Sequence, residues 1–149
     1  MSYNDLIKGR TSSVNQIYFV TTVVNKRVPY FTDYFLGRKV VDEMRRLHDE
    51  KNVQSIAWVL MPDHLHWVFQ LGEDHDLPTV MRLLKGRSAK NVNKALMRRG
   101  PVWQRAYFDH AIRHYEDIQA ISRYLVANPL RSRLVANIGD YPLWDAIWL

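Results

Sequence analysis

The chain has 149 residues, 47% of them hydrophobic, which is the usual size and composition of one domain, here spanning residues 1–149. It contains no cysteine, which excludes disulfides and thiolate metal sites and favours a reducing compartment. Its 21 Lys and Arg exceed its 15 Asp and Glu, giving a net charge of +6. No apolar run approaches the roughly 20 residues of a membrane helix, so we expect no membrane partner.

Hydrophobic periodicity and turn residues predict seven elements in chain order. The predicted strands are residues 16–24, 53–60, 64–71 and 102–112. The predicted helices are residues 34–51, 77–98 and 115–127. The second and third strands flank Pro62-Asp63, a pair that suits a tight turn, so they should form a hairpin. Asn128-Pro129 should end the third helix, because proline disfavours the helical conformation of the residue before it.

This order predicts an α+β, ferredoxin-like fold, in which two helices cover one face of an antiparallel sheet. The third, C-terminal helix carries a tyrosine and is available to cover the other face. In the second helix, we expect Leu96 to face inward with Val80, Leu84 and Val92, and Gly86 to mark a kink or a partner's close approach. The aromatic tail, residues 141–149, should pack back on the domain.

Two histidines, His64 and His66, begin the strand predicted over residues 64–71. Because side chains alternate along a strand, they share one face, whereas Leu65 and Trp67 point to the other. Same-face neighbours lie about 7 Å apart along the backbone, so the two rings can converge on one ion. Imidazole is the commonest metal ligand. The alternative is a pair of hydrogen-bonded histidines on a half-exposed face.

Tyr124 and Asn128 lie four residues apart on the third predicted helix, and therefore on one stripe of it. They border the apolar stripe of Ile118, Ile121 and Leu125, so we expect both side chains to point toward the sheet rather than into water. The amide oxygen of asparagine suits a hard cation. Alternatively, they are an ordinary tyrosine and a residue that ends a helix.

Four segments, in this order and spacing, carry a resemblance to a known family: MPDHLHWVFQL, LKGRSAKNVNKAL, VWQRAYFDHAIR and YLVANPLRSRLV. Together they resemble the single-tyrosine HUH transposases, and more closely the REP-associated tyrosine transposases, over nearly the whole chain. The resemblance implies that His64 and His66 bind a catalytic metal, that Tyr124 is the nucleophile and that Asn128 is the third metal ligand.

The resemblance further implies Mg²⁺ or Mn²⁺ as the cofactor, and two imidazoles suit Mn²⁺ better. A free phenol has a pKa of about 10, so we expect the cation to assist by polarising the scissile phosphate. Attack by the tyrosine would give a covalent 5′-phosphotyrosine and a free 3′-OH, a step that another 3′-OH can reverse. The expected activity is therefore single-stranded DNA cleavage and strand transfer at REP-type hairpins, in the cytoplasm at the nucleoid.

The segment from Leu77 to Phe108 contains eight basic residues and no acidic one. Such a one-sided block indicates a polyanionic partner, although a solvated helix face gives the same pattern. The candidate DNA contacts are Arg82, Lys85, Arg87, Lys90, Lys94, Arg98, Trp103, Gln104 and Arg105. Trp103, Tyr107 or Phe108 are candidates to stack on unpaired bases, with a place in the core as the alternative for each.

Two other functions fit parts of the sequence. A non-catalytic protein that binds DNA hairpins and regulates them would need the same basic surface without cleavage. A small metallohydrolase acting on another substrate would need the histidines but not the basic block. The sequence leaves the oligomeric state open between monomer and homodimer, and we favour the monomer.

Overall fold

The predicted element order is largely confirmed by the computed structural model of the chain, which describes residue 13 and residues 15–147. Within that range the strands are β1 (Ile17–Val23), β2 (Val53–Met61), β3 (His64–Leu71), β4 (Phe108–Ile112) and β5 (Trp144–Ala146). The α-helices are α1 (Tyr34–Asp49), α2 (Leu77–Leu96), α3 (Ile118–Val126) and α4 (Asn128–Arg131). Short 3-10 turns lie at Asn25–Arg27, Tyr30–Thr32 and Ile138–Asp140.

One antiparallel sheet has the strand order β4-β1-β3-β2-β5. Its first four strands follow the ferredoxin-like order, which confirms the predicted α+β fold, and β5 extends the sheet beside β2. Met61 pairs with His64, so Pro62 and Asp63 form the two-residue turn of the predicted hairpin. β4 and β5 are the edges of the sheet.

The two faces of the sheet bury two separate hydrophobic cores. Trp67 and Phe69 of β3 belong to the larger core, with the apolar sides of α1 and α2. Val68, between them in sequence, belongs to the smaller core under α3, as strand alternation requires. The helix α3 therefore covers the face opposite α1 and α2, as expected.

The fourth strand begins at Phe108, so the prediction of a strand from residue 102 is wrong for its first half. In this segment Val24 and Trp103 form an isolated bridge. The ammonium group of Lys85 donates hydrogen bonds to the carbonyl oxygens of Gln104 (2.7 Å) and Arg105 (2.9 Å). Because these carbonyls are bound by a side chain of α2, residues 101–107 form a loop against that helix.

Helix boundaries differ from the prediction for local reasons. The third helix begins at Ile118 rather than Tyr115, because the Asp117 side chain accepts a hydrogen bond from the backbone of Ala120 and caps it. α2 ends at Leu96 because Met97 adopts a left-handed conformation. Leu96 is 40% exposed and does not face inward.

Two further features of the helices correct the sequence interpretation. α2 runs through Gly86 as one continuous helix, so the expected kink is absent. α3 does end before Asn128, with Ala127 as its cap, but the chain then continues into α4, with proline in that helix's first turn.

The aromatic tail packs back on the domain over the residues that the structure describes, up to Ile147. Leu143 is 2% exposed in the larger core, and the Tyr141 hydroxyl donates a hydrogen bond to the carbonyl of Leu60. Burial raises the pKa of Tyr141 to about 12. Trp148 and Leu149 lie outside the described residues. Among the described helices, none is long and apolar enough to cross a membrane.

Candidate active site

The imidazole rings of His64 and His66 lie side by side on the face of the sheet that α3 covers. Their centroids are 4.7 Å apart and the rings meet edge to face, at 78°. The neighbouring residues Leu65 and Trp67 are fully buried in the other core. Strand alternation therefore places both histidines where the sequence predicts them.

Each histidine is oriented through its Nδ1 atom. His64 Nδ1 lies 2.7 Å from Oδ1 of Asp63, and His66 Nδ1 lies 2.8 Å from Oγ1 of Thr21 on β1. If both Nδ1 atoms donate their protons, both Nε2 atoms keep the lone pair that a metal ligand needs. Partial burial acts to raise the pKa of Asp63, but hydrogen bonds and charges from His64 and Arg27 lower it overall.

The surroundings of His66 disfavour its protonated form. Burial, then the charges of His64 and Arg131, lower the pKa of His66 to about 4. The neutral ring that results at neutral pH is the form that binds a metal. Arg131 of α4 is among the groups that lower this pKa, so its positive charge lies near enough to act on His66.

Tyr124, a residue of α3, points largely into solvent rather than into the core between that helix and the sheet. Its side chain is 65% exposed, so the expectation that it points away from water is wrong. Leu125 fills the core instead, because it occupies the centre of the apolar stripe. The guanidinium carbon of Arg131 lies 3.8 Å from the centroid of the Tyr124 ring, and Arg131 also donates a hydrogen bond to the Tyr124 carbonyl.

Phe19 of β1 connects Tyr124 with the histidine pair. Its ring meets that of His66 edge-on at 5.7 Å between centroids. Phe19 and Tyr124 also line the same open cavity. Phe19 therefore lies between the histidine pair and the cavity that Tyr124 lines.

The candidate metal ligands, His64, His66 and Asn128, would suit a divalent cation such as Mn²⁺ in their chemistry. Asn128 is half-buried at the start of α4, and its side-chain oxygen accepts a hydrogen bond from Ser132 Oγ at 3.3 Å. That oxygen keeps a second lone pair for a cation. Across the described residues no cluster of three His, Cys, Asp or Glu forms a candidate metal site. A three-ligand site here would therefore need a ligand of another residue type, and the resemblance supplies the asparagine as the candidate.

The basic residues of α2 and of the segment that follows it divide into two groups. Three are committed to contacts within the protein: Lys85 binds the loop carbonyls, Arg87 pairs with Glu50 at 3.0 Å, and Arg98 bonds to Asn93. Burial lowers the pKa of Lys85. The exposed members of the predicted DNA-binding set are Arg82, Lys90, Lys94, Gln104 and Arg105.

The three aromatic candidates for base stacking differ in how exposed they are. Trp103 is 5% exposed, its Nε1 donates to Ser88 Oγ at 2.9 Å, and its ring packs against Phe31. It is a core residue, so its predicted role as a DNA contact is wrong. Tyr107 is half-buried, whereas Phe108, at the start of the edge strand β4, is 65% exposed.

The basic surface of α2 and the histidine pair lie on opposite sides of the sheet. α2 packs on the larger core, whereas His64 and His66 face the smaller one. The β4 edge and the loop of residues 101–107 lie between them. A strand of DNA that contacts both surfaces can pass around this edge.

Sequence reasoning missed three residues that complete the site. Thr21 and Asp63 orient the two imidazoles, and Arg131 covers the tyrosine ring. Asp63 directly precedes His64, so its contact with that histidine could have been predicted from the sequence. Thr21 and Arg131 depend on strand register and on the turn between α3 and α4, which no local pattern shows.

Comparisons with known proteins agree with this architecture. The profile of the family described as "Transposase IS200 like" matches residues 12–128. A REP-associated tyrosine transposase of Escherichia coli K12 is 27% identical over 127 residues, covering 84% of this chain and 72% of that protein. A Haemophilus influenzae protein assigned to the same group is 27% identical over 141 residues, covering 85% and 77%.

A solved REP-associated tyrosine transposase bound to a REP hairpin has a similar fold. The TM-score is 0.72 at 23% identity, covering 91% of this chain and 79% of that one. Because the family profile spans most of the sequence, the chain belongs to the IS200-like transposase family, and its named relatives are REP-associated tyrosine transposases.

Proposed function

We propose that this chain is a metal-dependent endonuclease and strand transferase that acts on single-stranded DNA at REP-type hairpins. The observation that carries the proposal is the histidine pair, with both Nδ1 atoms engaged, beside Phe19, which also lines the cavity of Tyr124. A relative of this fold is described as bound to a REP hairpin, which supports the same class of DNA as the substrate.

His64, His66 and Asn128 would hold Mg²⁺ or Mn²⁺. Such a cation, when bound, polarises the scissile phosphate and draws charge from its oxygens. Thr21 and Asp63 keep the two imidazoles in one orientation, so little freedom is lost when a ligand binds. The low pKa of His66 keeps that ring neutral and ready to coordinate.

Tyr124 performs the covalent step. Its hydroxyl proton passes to solvent water, its oxygen bonds to phosphorus, and the bond from phosphorus to the 3′ oxygen breaks. The 3′ oxygen leaves as a hydroxyl after taking a proton from water. The 5′-phosphate stays on the tyrosine, so a second 3′-OH can attack it and rejoin DNA without ATP.

The proposal is tested by incubating the protein with hairpin oligonucleotides made from the palindromes that flank its gene, with Mn²⁺ or with EDTA. Denaturing electrophoresis should show a covalent protein–DNA adduct only with the metal. The adduct should disappear in Tyr124→Phe and persist in Tyr34→Phe, another partly exposed tyrosine, on the opposite face of the sheet. Normal adduct formation by Tyr124→Phe would exclude Tyr124 as the nucleophile.

A second candidate is a hairpin-binding protein without cleavage. The position of Arg131 favours it, because this residue covers the Tyr124 ring and its charge opposes a cation at His66. Tight, salt-dependent binding of the hairpin with no adduct under Mg²⁺ or Mn²⁺ would select this function. We favour a monomer for either activity, which sedimentation of the free protein would test.

A further inference from the structure

An open cavity of about 480 Å³ lies beside Tyr124, between α3 and the β4 edge of the sheet. Three aromatic rings line it, from Phe19, Phe108 and Tyr124, and the pair His110 and Glu116 supplies polar atoms. None of the candidate metal ligands and none of the basic residues of α2 lines this cavity. Its combination of flat apolar walls and one polar side suits a planar, heterocyclic ligand.

Exposing the Phe108 ring to water does not stabilise the folded protein. The Phe108 side chain is 65% exposed, although this residue starts a strand. It pairs across the sheet with Thr21, and Thr21 pairs with His66, so the three residues form one row. Two strand spacings separate Phe108 from His66, about 10 Å between backbones. A single nucleotide can touch both ends of that row.

One nitrogen on the polar side of the cavity is available to form a hydrogen bond with a ligand. His110 Nε2 lies 3.0 Å from Oε2 of Glu116, and the other carboxylate oxygen, Oε1, accepts a hydrogen bond from the backbone N–H of Arg113. His110 pairs directly with Phe19 on β1, so its ring faces the cavity side of the sheet. With Nε2 bound to the carboxylate, Nδ1 is the nitrogen available to the edge of a ligand.

We propose that this cavity binds an unpaired base of the DNA strand that reaches Tyr124, with Phe108 stacked on the base and His110 bonded to its edge. The inference deepens the proposed function and rests on DNA being the substrate. Aromatic stacking is the usual way in which proteins hold unpaired bases. The positive charge needed for the backbone is close, because Arg131 lies over Tyr124 and Arg105 precedes Phe108 in the loop.

The path that DNA would take across the surface favours an unpaired base, rather than a peptide or a lipid, as the ligand of this cavity. The exposed cations of α2 and the histidine pair lie on opposite sides of the sheet, joined by the loop of residues 101–107 and the β4 edge. A strand that passes around this edge meets Phe108 first and Tyr124 next. The cavity thus lies between the basic surface and the nucleophile.

The test places 2-aminopurine, one position at a time, at each unpaired base of the hairpin oligonucleotide and measures its fluorescence with EDTA present. Because EDTA removes the metal, DNA cleavage cannot contribute to the fluorescence change. We expect strong quenching at one position on binding to the wild-type protein. The quenching should be lost in Phe108→Ala, kept in Phe108→Trp and kept in Phe35→Ala, which removes an even more exposed phenylalanine on α1.

Hairpin affinity supplies the second measurement. We expect Phe108→Ala to weaken binding roughly tenfold or more, as for loss of a stacked base. His110→Ala should mainly reduce the preference among bases at the quenched position. Unchanged quenching in Phe108→Ala, or no quenched position at all, would overturn the proposal.

The adduct assay separates this inference from the proposed function. Quenching that depends on Phe108 without any covalent adduct under Mn²⁺ would reject the nuclease and leave the base site standing. An adduct that requires Tyr124, together with quenching indifferent to Phe108, would reject the base site alone.

Discussion

Thr21 on β1 and His66 on β3 form a 2.8 Å hydrogen bond between directly paired positions of the sheet. Because both atoms belong to adjacent central strands, the bond holds the imidazole at a fixed angle. A metal ligand benefits from such a partner, which sets the protonated nitrogen and leaves the other for the cation. The geometry of the candidate metal site therefore depends on a residue that does not touch the metal.

Replacing Thr21 with valine should weaken Mn²⁺ binding. Valine keeps the shape and strand preference but removes the partner of His66 Nδ1. We expect affinity to fall roughly 10- to 100-fold, the usual effect of losing such a partner. Titration calorimetry of the metal-free protein measures it directly.

Thr22→Val is the matched control for Thr21→Val. Thr22 is the next residue of β1, points to the other face, is fully buried, and its hydroxyl has no hydrogen-bond partner among the described residues. Its replacement should leave Mn²⁺ affinity unchanged and the fold at least as stable. Equal losses of affinity in both variants would mean that β1 packing, rather than the hydrogen bond, controls the site.

Arg131→Ala should strengthen metal binding while uncovering Tyr124. Removing the charge that lowers the pKa of His66 reduces repulsion of a cation, and we expect affinity for Mn²⁺ to rise by roughly threefold at low salt. Arg133→Ala is the control, because Arg133 has no comparable influence on His66. A fall in affinity in Arg131→Ala would show that Arg131 organises the site.

The sequence predicts those parts of the site that depend on local periodicity. Alternation along β3 places His64 and His66 on one face, and the apolar stripe of α3 places Leu125 inward. It does not predict the exposure of Tyr124, which only borders that stripe. It also fails for residues 102–107, where pairing with β1 is limited to an isolated bridge between Val24 and Trp103, and Lys85 binds the carbonyl of Gln104.

Trp103→Phe should destabilise the fold and leave DNA binding intact. The substitution removes the hydrogen bond to Ser88, whose side chain is buried, and we expect a loss of about 1–2 kcal/mol in the free energy of unfolding. Urea denaturation measures the loss. Because Trp103 is a core residue, the folded variant should bind the hairpin as tightly as wild type. Weaker binding by the fully folded variant would mean that Trp103 contributes to DNA binding after all.

The double variant Lys90→Ala, Lys94→Ala should weaken hairpin binding and its dependence on salt. Both lysines are exposed on α2, unlike Lys85 and Arg87, which serve the protein itself. If each lysine neutralises one phosphate, the slope of log affinity against log salt concentration should fall by roughly 1.5. Affinity is measured by fluorescence anisotropy over a series of salt concentrations.

Lys39→Ala, Arg45→Ala is the control for that double variant, because it removes the same two charges from α1. Both variants have a net charge of +4, from +6 minus two, so a general electrostatic effect would weaken binding equally in each. We expect the salt dependence to change only in the α2 variant, because contact with phosphates is local whereas net charge is not. Equal changes in both would mean that the exposed face of α2 is an ordinary solvated helix face.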